Sequence, residues 1–347
     1  MLPNLNALRI FLALAVVLFH IPTISSTVGF AYFNASPIFQ KGELAVLYFF
    51  TLSGFLIIRN IYIELQQTGS IQLKRFYSRR AGRILPPYLL VLFIGLCLYH
   101  FILPRMGIPF QLDYSLAEAL FYNIFFLSNV FKTLYPNIGG ILSVLWSIGV
   151  EEQFYLICPP LLLFFRKQVA HFLWGSIFVL FALLLFVPSF YQYNNFFFYF
   201  AFGGLLSILA LQFRLKWFLQ PWIQWIFLLL FFTSFFTNFF NWLPPFLYHV
   251  VNMLLSGLFI VSIAHQPRFV IQHLWIDSLG KISYGIYLYH MVVITGVLFL
   301  LQKWVDHGLV LNSLSQILLI NAATISITCL VAWLSHKYFE SLFYRKP

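Results

Sequence analysis

Charge is what this sequence has least of. Only 8% of its 347 residues are Asp, Glu, Lys or Arg and 61% are apolar, where a soluble domain carries about 25% charged residues. So few charges cannot cover the surface of a soluble protein, and several apolar runs exceed ~18 residues; both exclude a large soluble core. The chain reads as an all-α, polytopic integral membrane protein. Acids are scarcest, nine against 20 Lys and Arg, for a net charge of +11. A balance that basic raises nucleic acid as a partner, but the cations sit at the ends of apolar runs and not on a soluble surface, so the bilayer is the expected partner. Cysteine is nearly absent: Cys97, Cys158 and Cys329 lie inside apolar segments without metal-ligand spacing and read as packed thiols, and no metal is expected. The N-terminus lacks a basic region before its first apolar run and a small-residue cleavage site after it, so that run is expected to remain as a transmembrane helix. Neither a short-period repeat nor a soluble domain after the last apolar run is evident, and 1–347 is read as a single transmembrane domain.

What is present is a series of runs long enough to span. Ten are expected, near 6–26, 43–63, 84–103, 141–165, 170–188, 194–213, 217–237, 246–265, 278–301 and 313–335. With the N-terminus cytoplasmic, the inner side holds Arg9, Arg59, Lys74, Arg75, Arg79, Arg80, Arg83, Arg166, Lys167, Arg214, Lys216, Arg268, Lys281, Lys337, Arg345 and Lys346, leaving Lys41, Arg105, Lys132 and Lys303 outside. That asymmetry places both termini in the cytoplasm. The longest stretch without a span, 104–140, then lies outside; its aromatic piece at 115–131 reads as interfacial or re-entrant.

Ionisable groups inside apolar helices are costly and mark candidate sites. On the first helix Arg9 and His20 are eleven residues apart, a spacing that returns to within about 20° of one face and covers about 16 Å of axis. Of Glu151 and Glu152, Glu151 has Tyr155 one turn on and is the expected inward member; a packing hydrogen bond is the competing explanation. Ser53, beside Gly54 in the second span, is more readily packing than nucleophile. Ser283, Tyr287 and His290 follow i, i+4, i+7 spacing and form one polar stripe, with a satisfied core histidine as the plain alternative for His290. His20, Ser53, Glu151 and His290 fall at similar depth on four helices, which implies one shared intramembrane site. Between the second and third spans the chain has a basic loop, Lys74 to Arg83, with five cations in ten residues. Orientation and anionic headgroups account for part of it. Arg80 and Arg83, one turn apart, also suit phosphate.

These residues resemble the membrane acyltransferase 3 family, which includes bacterial O-antigen and exopolysaccharide acetylases. The resemblance is carried in order by Arg9 and His20, by Phe49-Phe50-Thr51-Leu52-Ser53-Gly54-Phe55-Leu56-Ile57, by Arg80-Ala81-Gly82-Arg83-Ile84-Leu85-Pro86-Pro87-Tyr88, by Trp146-Ser147 with Glu151-Glu152-Gln153-Phe154-Tyr155, and by Ile282 to His290. Asn6 stands where many members carry Asp, and Ile10 where many carry Gly. The appended esterase-like domain of some members is not expected here, and a second catalytic protein, if required, is expected to be a separate extracytoplasmic chain.

The resemblance implies a ten-helix enzyme of a bacterial inner membrane that moves an acyl group, usually acetyl, from cytosolic acyl-coenzyme A to a carbohydrate hydroxyl, with His20, Arg9, Arg80 and Arg83 functional. In that reading Arg9, Arg80 and Arg83 bind the coenzyme A phosphates, and His20 deprotonates the acceptor or carries the acetyl group. Glu151 orients His20 or raises its basicity. Tyr155, Ser283, Tyr287 and His290 line the acceptor side or donate to the oxyanion, and Ser53, Trp146 and Tyr284 are expected to bind substrate. The competing class is a secondary transporter or glycan-lipid flippase, which calls for paired broken helices in two related halves; a non-catalytic assembly partner is a third.

Overall fold

The computed structural model describes residues 2–187, 190, 193, 196–213, 220–265, 267, 269–271 and 273–344. In chain order its helices are α1 (Leu5–Val28), α2 (Gly42–Thr68), α3 (Leu73–Arg105), α4 (Leu116–Ile124), α5 (Ser128–Leu134), α6 (Gly140–Phe164), α7 (Val169–Phe186), α8 (Phe197–Gln212), α9 (Pro221–Phe236), α10 (Pro245–Ala264), α11 (Leu274–Asp306) and α12 (Ser313–Leu342). Among the described residues there is no strand. Eight of these helices, α1, α2, α3, α6, α7, α10, α11 and α12, are long and apolar enough to cross a membrane, and α8 and α9 are shorter apolar helices. Phe164, Phe178 and Phe186 are about four-fifths exposed, at 80%, 77% and 81%, which a lipid environment accommodates and water does not. Parts of the expected spans 170–188, 194–213 and 217–237, and Arg214, Lys216, Arg268, Arg345 and Lys346, lie outside the described residues.

The basic segment is helix, not loop. α3 begins at Leu73 and carries Lys74 to Arg83 as its first turns, eleven residues before the expected start at 84. Pro86 and Pro87 lie inside it. A proline removes one N–H donor from the ladder, freeing here the carbonyls of Gly82 and Arg83, but it does not forbid helix on both sides. Charges and prolines together imitate a loop followed by a helix start, whereas most helical stability comes from packing.

The chain divides into two compact units: Met1–Leu12, Glu43–Lys74 and Val150–Gly280 form the first, and Ala13–Gly42, Arg75–Gly149 and Lys281–Pro347 the second. Lipid is as apolar as a leucine side chain, so helices inside it associate by close packing and hydrogen bonds. The first unit shows both. Gly54 of α2 lies directly on the backbone of Phe200 in α8, and Gly203 of α8 on the carbonyl of Thr51, contacts that leave no room for a Cβ on either glycine. Gly54 therefore serves a close crossing in an unbroken helix. The rings of Phe50, Phe200 and Phe154 stack beside it at 4.6 and 4.3 Å, and Thr51 Oγ1 shares a 2.9 Å hydrogen bond with Ser256 Oγ of α10.

In the second unit the 104–140 stretch is anchored from below by tyrosines. Tyr88 of α3 donates to the carbonyl of Asn123 at 2.9 Å, and Tyr99 accepts from the N–H of Ile141 at 3.1 Å. Ser115 and Glu118 close a reciprocal cap at the start of α4, and Tyr135 donates to Glu118 Oε1 at 2.7 Å, tying the end of α5 to that cap. These bonds hold Glu118 below the usual carboxylate range, the Ser115 hydroxyl contributing most, and push the Tyr135 phenol up to about 12, its bond to Glu118 being the largest cause.

Candidate functional site

A histidine pair lies in the second unit. α1 presents His20 half-buried, α11 holds His290 fully buried, and the ring centroids are 5.1 Å apart with planes tilted by 38°. His290 Nδ1 bonds the carbonyl oxygen of Tyr287, one turn back on α11. A carbonyl only accepts, so Nδ1 carries the proton and Nε2 keeps a lone pair. That Nε2 is buried and has no hydrogen-bond partner among the described residues. A buried acceptor left in this condition costs about 1–3 kcal/mol, and its chemistry is to take a proton.

Around the pair, Tyr287 donates to the carbonyl of Val144 at 3.0 Å. Its single proton is then spent, so the 2.5 Å contact with Ser147 Oγ is a bond donated by the serine. Ser283 is buried on the same face as Tyr287 and His290, as the i, i+4, i+7 spacing requires. Tyr284 points elsewhere and donates to the carbonyl of Ile84 in α3 at 3.2 Å. Trp146 is buried, and the ammonium of Lys132 from α5 lies 5.0 Å from its ring centroid. Lys132 also acts on His20 through its charge. Nothing in the sequence distinguishes Lys132 from an ordinary cation in an aromatic stretch; only the fold of α4 and α5 brings it here.

The first unit holds a second constellation. Glu151 Oε1 accepts from Ser53 Oγ at 2.6 Å and from the hydroxyl of Tyr155, one turn on. Glu152, its neighbour, is buried at 7% exposure. Near the start of α1 Asn6 donates to Asp277 Oδ1 at 2.8 Å, across 271 residues of sequence. The amide supplies a donor where a carboxylate would face a second acid, which accounts for Asn at this position. Arg9 is half-buried, one turn further along.

At the basic end of α3, Arg80 stacks its guanidinium over Phe76, 5.8 Å from the centroid, and Arg83 is exposed. The pair is separated by three residues, so on a helix both reach one side. Of the four residues expected to share a site, His20 and His290 meet in the second unit, and Ser53 and Glu151 meet in the first.

A set of apolar spanning helices that keeps imidazoles, a carboxylate and a basic helical end inside or beside them is an integral membrane protein with ionisable chemistry at membrane depth. The chain belongs to the family described as an acyltransferase domain, type 3, whose profile matches residues 2–335. A Staphylococcus aureus (strain COL) protein named "Putative O-acetyltransferase" is 24% identical over 374 residues, covering 99% of this chain and 57% of that protein. The peptidoglycan O-acetyltransferase OatA of Listeria monocytogenes is 30% identical over 171 residues, 48% of this chain and 25% of that one. The O-acetyltransferase OatA of Staphylococcus aureus (strain NCTC 8325) is 31% identical over 167 residues, 47% of this chain and 25% of that one. The chain spans little more than half the length of the first of these relatives, 57%. No solved structure matches.

Proposed function

We propose that this protein is a membrane O-acyltransferase that takes an acyl group, in the first instance acetyl, from cytosolic acyl-coenzyme A and places it on a hydroxyl of a cell-surface or lipid-linked carbohydrate. The observation that carries the reading is the histidine pair: a buried imidazole with a fixed tautomer and an open Nε2, ring to ring with a half-buried second imidazole, in a chain of an acyltransferase family. Ten spans, α1 to α3 and α6 to α12, with both termini cytoplasmic, and residence in a bacterial inner membrane complete the proposal. The O-acetyltransferase names of the relatives support the carbohydrate hydroxyl as acceptor.

In the proposed reaction Arg80 and Arg83 bind the donor's phosphates, for which guanidinium geometry is suited. His20 removes the proton of the acceptor hydroxyl as its oxygen attacks the thioester carbonyl. The C–S bond then breaks, and the thiolate leaves with that proton, delivered from the imidazolium. His290 Nε2 can share that proton with His20 until it is delivered, and the pair is neutral again once the thiolate is protonated. Lys132 and the hydroxyl of Ser283 supply positive potential toward the carbonyl oxygen. Glu151 with Ser53 and Tyr155, Arg9, and the tyrosines Tyr284 and Tyr287 are assigned to donor and acceptor binding.

Membranes containing the full chain, supplied with radiolabelled acetyl-coenzyme A, test this directly. His20→Ala is expected to lower transfer into membrane carbohydrate by about 10²–10⁴-fold, the range for loss of a general base, at unchanged protein level. Wild-type transfer by that variant would overturn the reading.

A further inference from the structure

The end of α12 carries a hydrogen-bonded cluster that the proposed reaction does not use. Its helix loosens into a wide turn over Ser335–Phe339 and a tight one over Glu340–Leu342. Such wide turns mark functional sites more often than plain helix does. At their centre is Glu340, 4% exposed. Ser335 Oγ donates to its Oε1 at 3.1 Å, and Tyr344 donates to its Oε2 at 2.9 Å. His336 Nδ1 lies 3.3 Å from the same Oε2. Because the Ser335 proton is spent on Glu340, the 2.6 Å contact with Tyr289 is donated by the tyrosine. Ser335, His336 and Tyr344 thus converge on one carboxylate, and Tyr289 joins the cluster through Ser335.

The cluster touches both functional elements of the second unit. Tyr289 is the neighbour of His290 on α11. On the other side the carbonyl oxygen of Phe343 rests against the α-carbon of Gly82, between Arg80 and Arg83, where a Cβ would collide with it. The turn that Glu340 holds is therefore seated on the helix that presents the two arginines, and the Arg83 charge reaches Tyr344, whose phenol is pushed up by burial and by Glu340.

From this geometry we infer that Glu340 is a positioning residue for donor binding: through Tyr344 and the Phe343 carbonyl it fixes the seat of Gly82 and so the orientation of Arg80 and Arg83 toward the donor's phosphates. The inference rests on the proposed use of acyl-coenzyme A. It distinguishes the phosphate-bearing part of the donor from its thioester end, since only the former is read by the arginines.

The test is equilibrium binding of coenzyme A, and of pantetheine, which keeps the thiol arm and lacks the nucleotide phosphates, to the full chain in lipid nanodiscs. Wild type is expected to bind coenzyme A at least tenfold more tightly than pantetheine. Glu340→Gln is expected to weaken coenzyme A about tenfold and leave pantetheine unchanged, and Glu340→Asp to retain coenzyme A binding within about threefold. Equal weakening of both ligands, which is what a merely structural role produces, or no weakening of either, would overturn the inference. Where Glu340→Gln fails to accumulate, Tyr344→Phe decides: a two- to threefold loss for coenzyme A alone supports it, and wild-type binding overturns it. A wild-type chain that binds the two ligands equally would instead remove the donor site of the parent proposal, an outcome separate from wild-type discrimination that survives in Glu340→Gln.

Discussion

His290 is held by a bond that decides its chemistry. Nδ1 donates to the Tyr287 carbonyl, so the ring offers Nε2 as a base, and Nε2 is buried without a partner among the described residues. Glutamine can fill most of the volume and keep one hydrogen bond, but its amide takes no proton at neutral pH. His290→Gln is accordingly expected to lower acetyl transfer about 10²-fold or more while the protein accumulates normally; transfer within twofold of wild type would show His290 to be a core histidine. The residue scale also shows what the sequence makes legible. Glu151 with Tyr155 is an i, i+4 pair, and the Ser283, Tyr287 and His290 stripe is a helical period; both are read from spacing alone. Asn6 with Asp277, Lys132 near His20, and Tyr344 with Glu340 beside Gly82 depend on helices meeting across long stretches of chain. No local pattern encodes such meetings.

At the scale of elements, apolar length located the eight helices long enough to cross a membrane, and composition misplaced the start of one of them. α3 starts eleven residues before its expected start because a charged, proline-containing segment looks like a loop until its packing is known. That packing includes the Phe343 carbonyl against Gly82 and the Tyr284 hydroxyl on Ile84. The aromatic piece at 115–131, read from the sequence as interfacial or re-entrant, falls in two short helices, α4 and α5, joined through the Ser115, Glu118 and Tyr135 cluster. Its pH dependence follows from sign. Glu118 is held below its ordinary value, so its contribution to α4 and α5 is complete above the ordinary carboxylate range, near ~4.3, and is lost as pH falls through the depressed value. Hydrogen exchange corrected for intrinsic rates is expected to show protection of 116–135 falling between about pH 5 and pH 2, relative to the spans, with the step missing in Glu118→Gln. An identical acid step in that variant would contradict the assignment.

For the whole molecule, the low charge content, the exposed phenylalanines and the family profile describe one thing: a helical membrane protein of an acyltransferase family whose polar groups are concentrated in a few places. The order of five weak motifs along the chain carried more information than any one of them, which is why the family was legible when the site's geometry was not. The central claim is that these groups move acetyl to a carbohydrate, and the direct measurement is mass spectrometry of cell-surface and lipid-linked glycans from cells that lack this protein, that carry it, and that carry its His20→Ala form at equal level. The account predicts a sugar bearing an added acetyl mass only in cells with the wild-type chain. Glycans identical in all three, or acetylation restored by His20→Ala, would contradict it.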